Sequence, residues 1–222
     1  MKVVAPWSGG VDSTFMVVKL LEGGYEVHPI YVDFGTPATP CELEAMHRLT
    51  GMIRRIIRSG KLYDLKVFKV EGEIHSMIKD GVKPKLYLRD YDIVTSQGVP
   101  LSHFYFPARN LIILSVAVAY AESEGIDRVA FATSGSDQQS VKDLSIEFIA
   151  ELNKLLAKIS PVRIETPVVN YTREDEWLYL KELGLIDYTF SCQRPLPGCI
   201  PCKTCPHCIF DAKMRWWSNG KR

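Results

Sequence analysis

Two adjacent glycines in Ser8-Gly9-Gly10-Val11-Asp12-Ser13 restrict the fold more than any other feature of the chain. A short apolar run, Val3-Val4-Ala5-Pro6-Trp7, precedes them, and an apolar-periodic segment from Thr14 to Leu21 follows. This layout predicts strand, glycine turn, helix. Glycine lets the backbone turn sharply and come close to a ligand. A helix that opens there aims its first N–H groups and the positive end of its dipole at the turn, which favours an anion. Ser8, Ser13 and Thr14 add hydroxyl donors, so a phosphate is the natural guest. No lysine follows the glycines and there is no G-x-G-x-x-G. The turn is therefore neither a Walker loop nor a dinucleotide fingerprint.

The rest of the chain repeats the same grammar. Gly23-Gly24 stop the first helix, and Tyr25 to Asp33 reads as a second strand. Strand, helix and strand over about thirty residues make a βαβ unit with parallel strands, whose ligands bind at the C-terminal strand ends. Asp33 stands at such an end, either as a contact for a nucleoside or as a solvated strand-end acid. Thr39 to Ile57 carries a helical pattern with Arg48, Arg54, Arg55 and Arg58 along it, and Leu65 to Val70 alternates like a strand. Asp80 to Phe106 has little periodicity and reads as a long loop of the kind that forms lids. Phe106-Pro107-Ala108-Arg109-Asn110 then opens an apolar helix from Leu111 to Glu124, and Arg109 is either a ligand contact or an ion-pairing residue. Asp127 to Thr133 is a buried strand that ends in Ser134-Gly135-Ser136-Asp137, a second polar glycine loop. An amphipathic helix follows with Leu144, Phe148, Leu152 and Leu155 on one face, then a strand at Val162 to Pro167. Thr172 and Asp175 have the spacing of a capping box for a helix that runs to Gly184.

A chain of 222 residues accommodates one α/β domain and a small appendage. The net charge of +1 gives no general electrostatic case for a nucleic-acid or membrane partner. With no signal-peptide pattern and no apolar run long enough for a bilayer, the expected compartment is the cytoplasm. Five of the six cysteines lie between Cys192 and Cys208. Such clustering in an enzyme of cytosolic type argues for metal rather than disulfides. Four thiolates at about 2.3 Å from one ion make a closed, structural zinc site. Cys192, Cys202, Cys205 and Cys208 are the preferred set, with Cys199 as the alternate. Spacing alone leaves an iron–sulfur cluster open.

SGGVDS directly after a strand resembles the pyrophosphatase loop of the N-type ATP pyrophosphatase superfamily, whose members split ATP into AMP and pyrophosphate. Taken with Phe106-Pro107-Ala108-Arg109-Asn110, Arg163-Ile164-Glu165-Thr166-Pro167, Thr189-Phe190-Ser191-Cys192 and the later C-x-x-C-x-x-C, nearly the whole chain resembles the 7-cyano-7-deazaguanine synthases of the queuosine and archaeosine pathways. The resemblance implies a doubly wound parallel α/β sheet of the adenine nucleotide alpha-hydrolase type over residues 1–186, with a small zinc lobe over 187–222. It implies ATP, Mg²⁺ and Zn²⁺, and a reaction on 7-carboxy-7-deazaguanine. The carboxylate is adenylated, ammonia displaces AMP to give an amide, and a second activation gives the nitrile. By resemblance Ser8, Gly9, Gly10, Val11, Asp12, Ser13 and Thr14 hold the pyrophosphate and its metal, with Asp12, Ser13 and Arg109 catalytic. Asp33, Asn110 and Gly135 complete the nucleotide site, and Arg109, Asp137 and Asp143 face the substrate. A homodimer is also implied.

The chain departs from the family pattern on the acceptor side. The family's P-D-C-R-P stretch reads Lys142-Asp143-Leu144-Ser145-Ile146 here, so a serine stands where an arginine is expected. Ala108 replaces the glycine before Arg109, and Asp211 stands where an arginine usually follows the last cysteine. These changes leave open a relative that passes the acyl group to another amine, such as one on a protein. Because tRNA-thiolating enzymes carry the same kind of loop, the resemblance also leaves open a tRNA-modifying ATP pyrophosphatase.

Overall fold

The computed structural model describes residues 1–71, 108–135 and 142–220. The long loop expected at Asp80–Phe106 and the candidate Asp137 lie outside the described residues. The described chain forms two compact units. One comprises Met1–Val32, Leu43–Phe68 and Ala108–Phe190, and the other draws its described residues from 33–42, 69–71 and 191–220. Most of the 187–222 lobe read in the sequence falls in the 191–220 part of the second unit, alongside 33–42 and 69–71.

The strands are β1 (Lys2–Pro6), β2 (Glu26–Asp33), β3 (Lys61–Leu62), β4 (Lys66–Lys69), β5 (Arg128–Ala130) and β6 (Arg163–Glu165). The helices are α1 (Val11–Glu22), α2 (Thr39–Ile56), α3 (Arg109–Ser123), α4 (Ile146–Leu156), α5 (Arg173–Glu182) and α6 (Pro206–Gly220). The sheet order is β3-β2-β1-β5-β6, with β4 also paired to β2. The β1–β2, β1–β5, β2–β3 and β5–β6 pairs are all parallel.

Burial on both faces explains why β1 is apolar without alternation, since parallel sheets are covered on both sides. Val3, Val4 and Ala5 are all fully buried. Val4 packs in a core with Leu114 and Ala117 of α3 and Ile149 of α4. Successive side chains of a strand point to opposite faces, so Val3 and Ala5 serve the other layer. There α1 meets α5 through Phe15, whose ring lies edge-on to Tyr171 at 5.0 Å and to Tyr179 at 5.5 Å.

The chain runs outward from β1 in one direction through β2 and β3, and in the other through β5 and β6. The order reverses between β1 and β5, which are neighbours at Val4 and Val129. Open α/β sheets bind ligands outside the C-terminal strand ends at such a reversal. Both polar glycine loops read in the sequence leave the sheet there.

Candidate nucleotide site and metal centre

The loop after β1 is tied down from several sides. Trp7 is buried, and its indole N–H donates to the hydroxyl of fully buried Thr14 at 3.0 Å. Thr14, read as a phosphate contact, also holds the loop from its helix side through this bond. Gly9 has φ 72°, a left-handed conformation that a side chain disfavours. Its carbonyl accepts from the Phe190 N–H at 2.9 Å. The Ser13 hydroxyl accepts from the Ser8 N–H at 3.2 Å and lies 3.1 Å from the Ser8 hydroxyl. The N-cap of α1 is Gly10, which has no side chain to close the helix start. Val11 is buried and contributes backbone rather than side chain to the loop.

Asp12 lies in the first turn of α1, with Oδ1 at 3.6 Å from Nε of Arg173. That oxygen is buried and accepts no hydrogen bond among the described residues. A buried carboxylate oxygen of this kind suits a cation. Arg173, the first residue of α5, escaped the sequence reading. Nothing local in the sequence signals that α5 starts opposite α1.

The loop after β5 is built for close packing. Thr133 and Ser134 are fully buried, and the Thr133 hydroxyl donates to the Leu144 carbonyl at 2.7 Å. The Gly135 N–H donates to the Tyr171 carbonyl at 3.0 Å, and a Cβ at Gly135 would come within 3.2 Å of the Val169 carbonyl oxygen. A side chain there would be tight against that carbonyl, which glycine avoids. Arg109 and Asn110 open α3, whose N-cap Ala108 takes a left-handed φ of 54°. The family's glycine at that position would sit there without strain. Asp143 lies in the 3-10 turn Lys142–Leu144. Ser145, which replaces the expected arginine, caps α4: its hydroxyl accepts from the Phe148 N–H at 3.1 Å and donates to the Lys142 carbonyl at 2.9 Å.

In the second unit, Asp33 shapes its own turn. Its Oδ1 accepts from the Gly35 N–H at 2.7 Å and from the Thr39 hydroxyl at 2.9 Å. The sulfurs of Cys192, Cys202, Cys205 and Cys208 all lie within 4.8 Å of one another. A tetrahedral ion with bonds of about 2.3 Å sets its sulfurs about 3.8 Å apart, and Cys202 and Cys208 stand at 3.9 Å. A cubane cluster holds its cysteines on separate irons and so further apart.

The thiols are electrostatically uneven. Burial pushes Cys202 up, but hydrogen bonds from Thr204, from the Cys205 N–H and from Cys192 outweigh it and bring the thiol down to about 6. Burial pushes Cys192 and Cys208 up. Four thiolates this close, two of them buried, repel one another, so a cation is what would let all four ionise together. Cys199, the alternate ligand in the sequence reading, is corrected here: it is bonded to Cys41 and has no thiolate to offer. Of the five clustered cysteines, one is thus in a disulfide and four remain as thiols. Asp211, another departure, pairs with Arg215 one turn along α6 at 2.8 Å.

The fold and its β1 loop are those of the class of parallel α/β proteins that carry a PP-loop. Solved structures agree on the fold. A 4-thiouridine synthetase in complex with RNA and with bound ATP matches with a TM-score of 0.57 at 15% identity, over 97% of this chain and 50% of that one. The U34-tRNA thiolase NcsA from Methanococcus maripaludis, with its [4Fe-4S] cluster, matches with a TM-score of 0.54 at 17% identity, over 99% of this chain and 66% of that one. Within the class, the sequence model described as "Queuosine biosynthesis protein QueC" matches residues 2–214. The 7-cyano-7-deazaguanine synthase of Archaeoglobus fulgidus is 30% identical over 99% of this chain and 87% of that protein. The one from Nitratiruptor sp. is 29% identical over 92% and 90%. The chain belongs to the QueC family and is an enzyme. Among the described residues, no helix is long and apolar enough to cross a membrane.

Proposed function

We propose that the chain is an ATP-dependent 7-cyano-7-deazaguanine synthase, a carbon–nitrogen ligase that releases AMP. The observation that carries this reading is the start of α1: a left-handed Gly9, a side-chain-free Gly10 cap and Asp12 with one buried carboxylate oxygen, at the point where the sheet order reverses. Such a helix start suits the pyrophosphate end of ATP. The carboxylate of 7-carboxy-7-deazaguanine attacks the α-phosphorus, pyrophosphate leaves, and the acyl adenylate forms. Ammonia then displaces AMP to give the amide. A second ATP activates the amide oxygen, whose loss with AMP leaves the nitrile.

Within that reaction the backbone of residues 9–13 receives the pyrophosphate oxygens, and Ser8 and Ser13 turn their hydroxyls from each other to the phosphates. Asp12 holds Mg²⁺, which neutralises phosphate charge when bound, and Arg173 orients the Asp12 carboxylate. Arg109 and Asn110 face the nucleotide or the substrate carboxylate, Asp143 faces the deazapurine, and Asp33 serves the adenosine side. Cys192, Cys202, Cys205 and Cys208 hold one Zn²⁺ in a structural role.

The alternative, transfer to a different amine, was motivated by Ser145. That serine has a sufficient reason in its own helix, since it caps α4. We therefore favour ammonia as the acceptor. The test is AMP and pyrophosphate release from ATP with and without 7-carboxy-7-deazaguanine. Release that requires the deazaguanine supports the reading, and ATP turnover indifferent to it refutes the substrate.

A further inference from the structure

One bond in the second unit is unused by the proposed chemistry. Cys41 and Cys199 are joined by a disulfide across 158 residues of sequence. Cys41 is 5% exposed in the first turn of α2. Cys199 is half-buried near the tip of a short hairpin, where the Leu196 N–H donates to the Ile200 carbonyl at 2.8 Å and both of those residues are exposed. It has φ 61° and follows Gly198 at φ 77°. A non-glycine residue keeps such a conformation only where its surroundings hold it there. An external thiolate thus reaches the Cys199 sulfur more readily than that of Cys41.

The other end of the bond lies in the turn that follows β2. Asp33 Oδ1 gathers the Gly35 N–H and the Thr39 hydroxyl, and the Asp33 carbonyl accepts from the Val70 N–H at 2.8 Å. The Thr39 N–H donates to Thr36, and the Glu42 N–H donates to Ala38. Cys41 sits inside this short set of bonds, two residues beyond Thr39. The disulfide is its covalent tie to the cysteine-rich segment.

We propose that Cys41–Cys199 is a thiol–disulfide exchange site whose co-substrate is a dithiol, and that the bond locks the Asp33–Cys41 turn. The consequence for ATP rests on the function proposed above, in which Asp33 serves the nucleotide. In the reductive step a thiolate of the dithiol attacks Cys199 Sγ. The Cys41–Cys199 bond breaks, and Cys41 leaves as a thiolate that takes a proton. The second thiol of the reductant attacks the mixed disulfide and releases Cys199. The chain gains two electrons and two protons, and the dithiol becomes a disulfide. Reduction leaves the turn to its hydrogen bonds alone and lets residue 199 relax out of the left-handed region.

The test uses the whole chain, loaded with zinc and isolated without reductant. Alkylation under denaturing conditions is expected to find two fewer thiols than after dithiothreitol. Hydrogen exchange at the Gly35, Thr39 and Glu42 amides is expected to quicken about tenfold on reduction, as a local opening does. Cys199→Ser is expected to be fast already and indifferent to dithiothreitol. Cys199→Gly, which removes the bond and tolerates the same backbone, replaces it if the serine variant misfolds. The KM for ATP is expected to rise about fivefold on reduction, at the low end of usual coupling between sites. A chain isolated with every thiol free, or an exchange response equal in wild type and variant, overturns the proposal. A responding turn with an unchanged KM overturns its link to ATP. A responding turn in a chain that makes no AMP in either redox state leaves the lock standing and sinks the proposed function instead.

Discussion

Helices α1 and α5 begin side by side and in opposite ways. At α5 the sequence closes the helix itself: the Thr172 hydroxyl accepts from the Asp175 N–H at 3.1 Å, and Asp175 Oδ2 accepts from the Thr172 N–H at 2.9 Å. At α1 the cap is Gly10, with Gly9 left-handed before it. The two starts meet where Arg173 approaches Asp12 at 3.6 Å. A start closed by its own side chains serves stability, and one built from glycine leaves its dipole to a ligand. The start of α6 is a third case, with Cys208 in its first turn directed into the four-sulfur cluster. There the proposed metal would fix the helix start through a cysteine ligand, where Thr172 fixes it at α5 through hydrogen bonds.

Removing the metal start should have the largest effect. Cys205→Ala is expected to lose the bound zinc and unfold the cysteine segment, because metal binding and folding are coupled on the order of 10 kcal/mol in small zinc modules. Elemental analysis and a thermal melt check it. A variant that keeps both zinc and the parent melt would remove α6 from the comparison. Next comes the ligand start. Asp12→Ala is expected to lower AMP formation by about 100-fold or more, as loss of a transition-state electrostatic group does, while leaving the melt nearly in place. A full-rate variant would place the ATP chemistry elsewhere.

The self-closed start should show the reverse pattern. Thr172→Ala is expected to lower unfolding free energy by about 1 kcal/mol, the usual value of a cap, with the AMP rate unchanged. A large drop in rate with an intact fold would mean that α5 belongs to the site as much as α1 does. Thr172 hydrogen bonds also hold the Asp175 carboxyl below the usual carboxylate range. A depressed folded pKa contributes stability above the unfolded value, and that contribution is lost as pH falls through the folded one. The Thr172→Ala penalty should therefore shrink in acid. The smallest effect belongs to α3: Ala108→Gly relieves a left-handed alanine and is expected to add up to about 1 kcal/mol, measured by denaturant unfolding.

The sequence made the α1 start legible because glycine pairs, flanking apolar runs and a following helix are all local signals. The α5 box was legible for the same reason, through Thr172 and Asp175. Helix α6 is not legible in the sequence, because Met214 is its lone buried residue and it has no buried apolar stripe to mark it. The Cys41–Cys199 bond and the Asp12–Arg173 approach join residues far apart in the chain, which no local pattern encodes. The bond from Trp7 to Thr14 spans seven residues, and no local pattern signals it. Ser145 looked like a lost arginine, and its neighbours show a helix cap. Arginine at 145 would remove that cap at about 1 kcal/mol, so a change in product made by Ser145→Arg has to be read against stability.

The central claim is that the glycine start of α1 directs ATP toward a deazaguanine carboxylate. The most direct test is mass spectrometry of everything formed from ATP, Mg²⁺, ammonia and 7-carboxy-7-deazaguanine by the wild-type chain and by Asp12→Ala. The account predicts AMP, pyrophosphate and the nitrile from the wild type, and none of the three above background from the variant. ADP and phosphate as the nucleotide products, or a deazaguanine left as its acid while AMP accumulates, would contradict it.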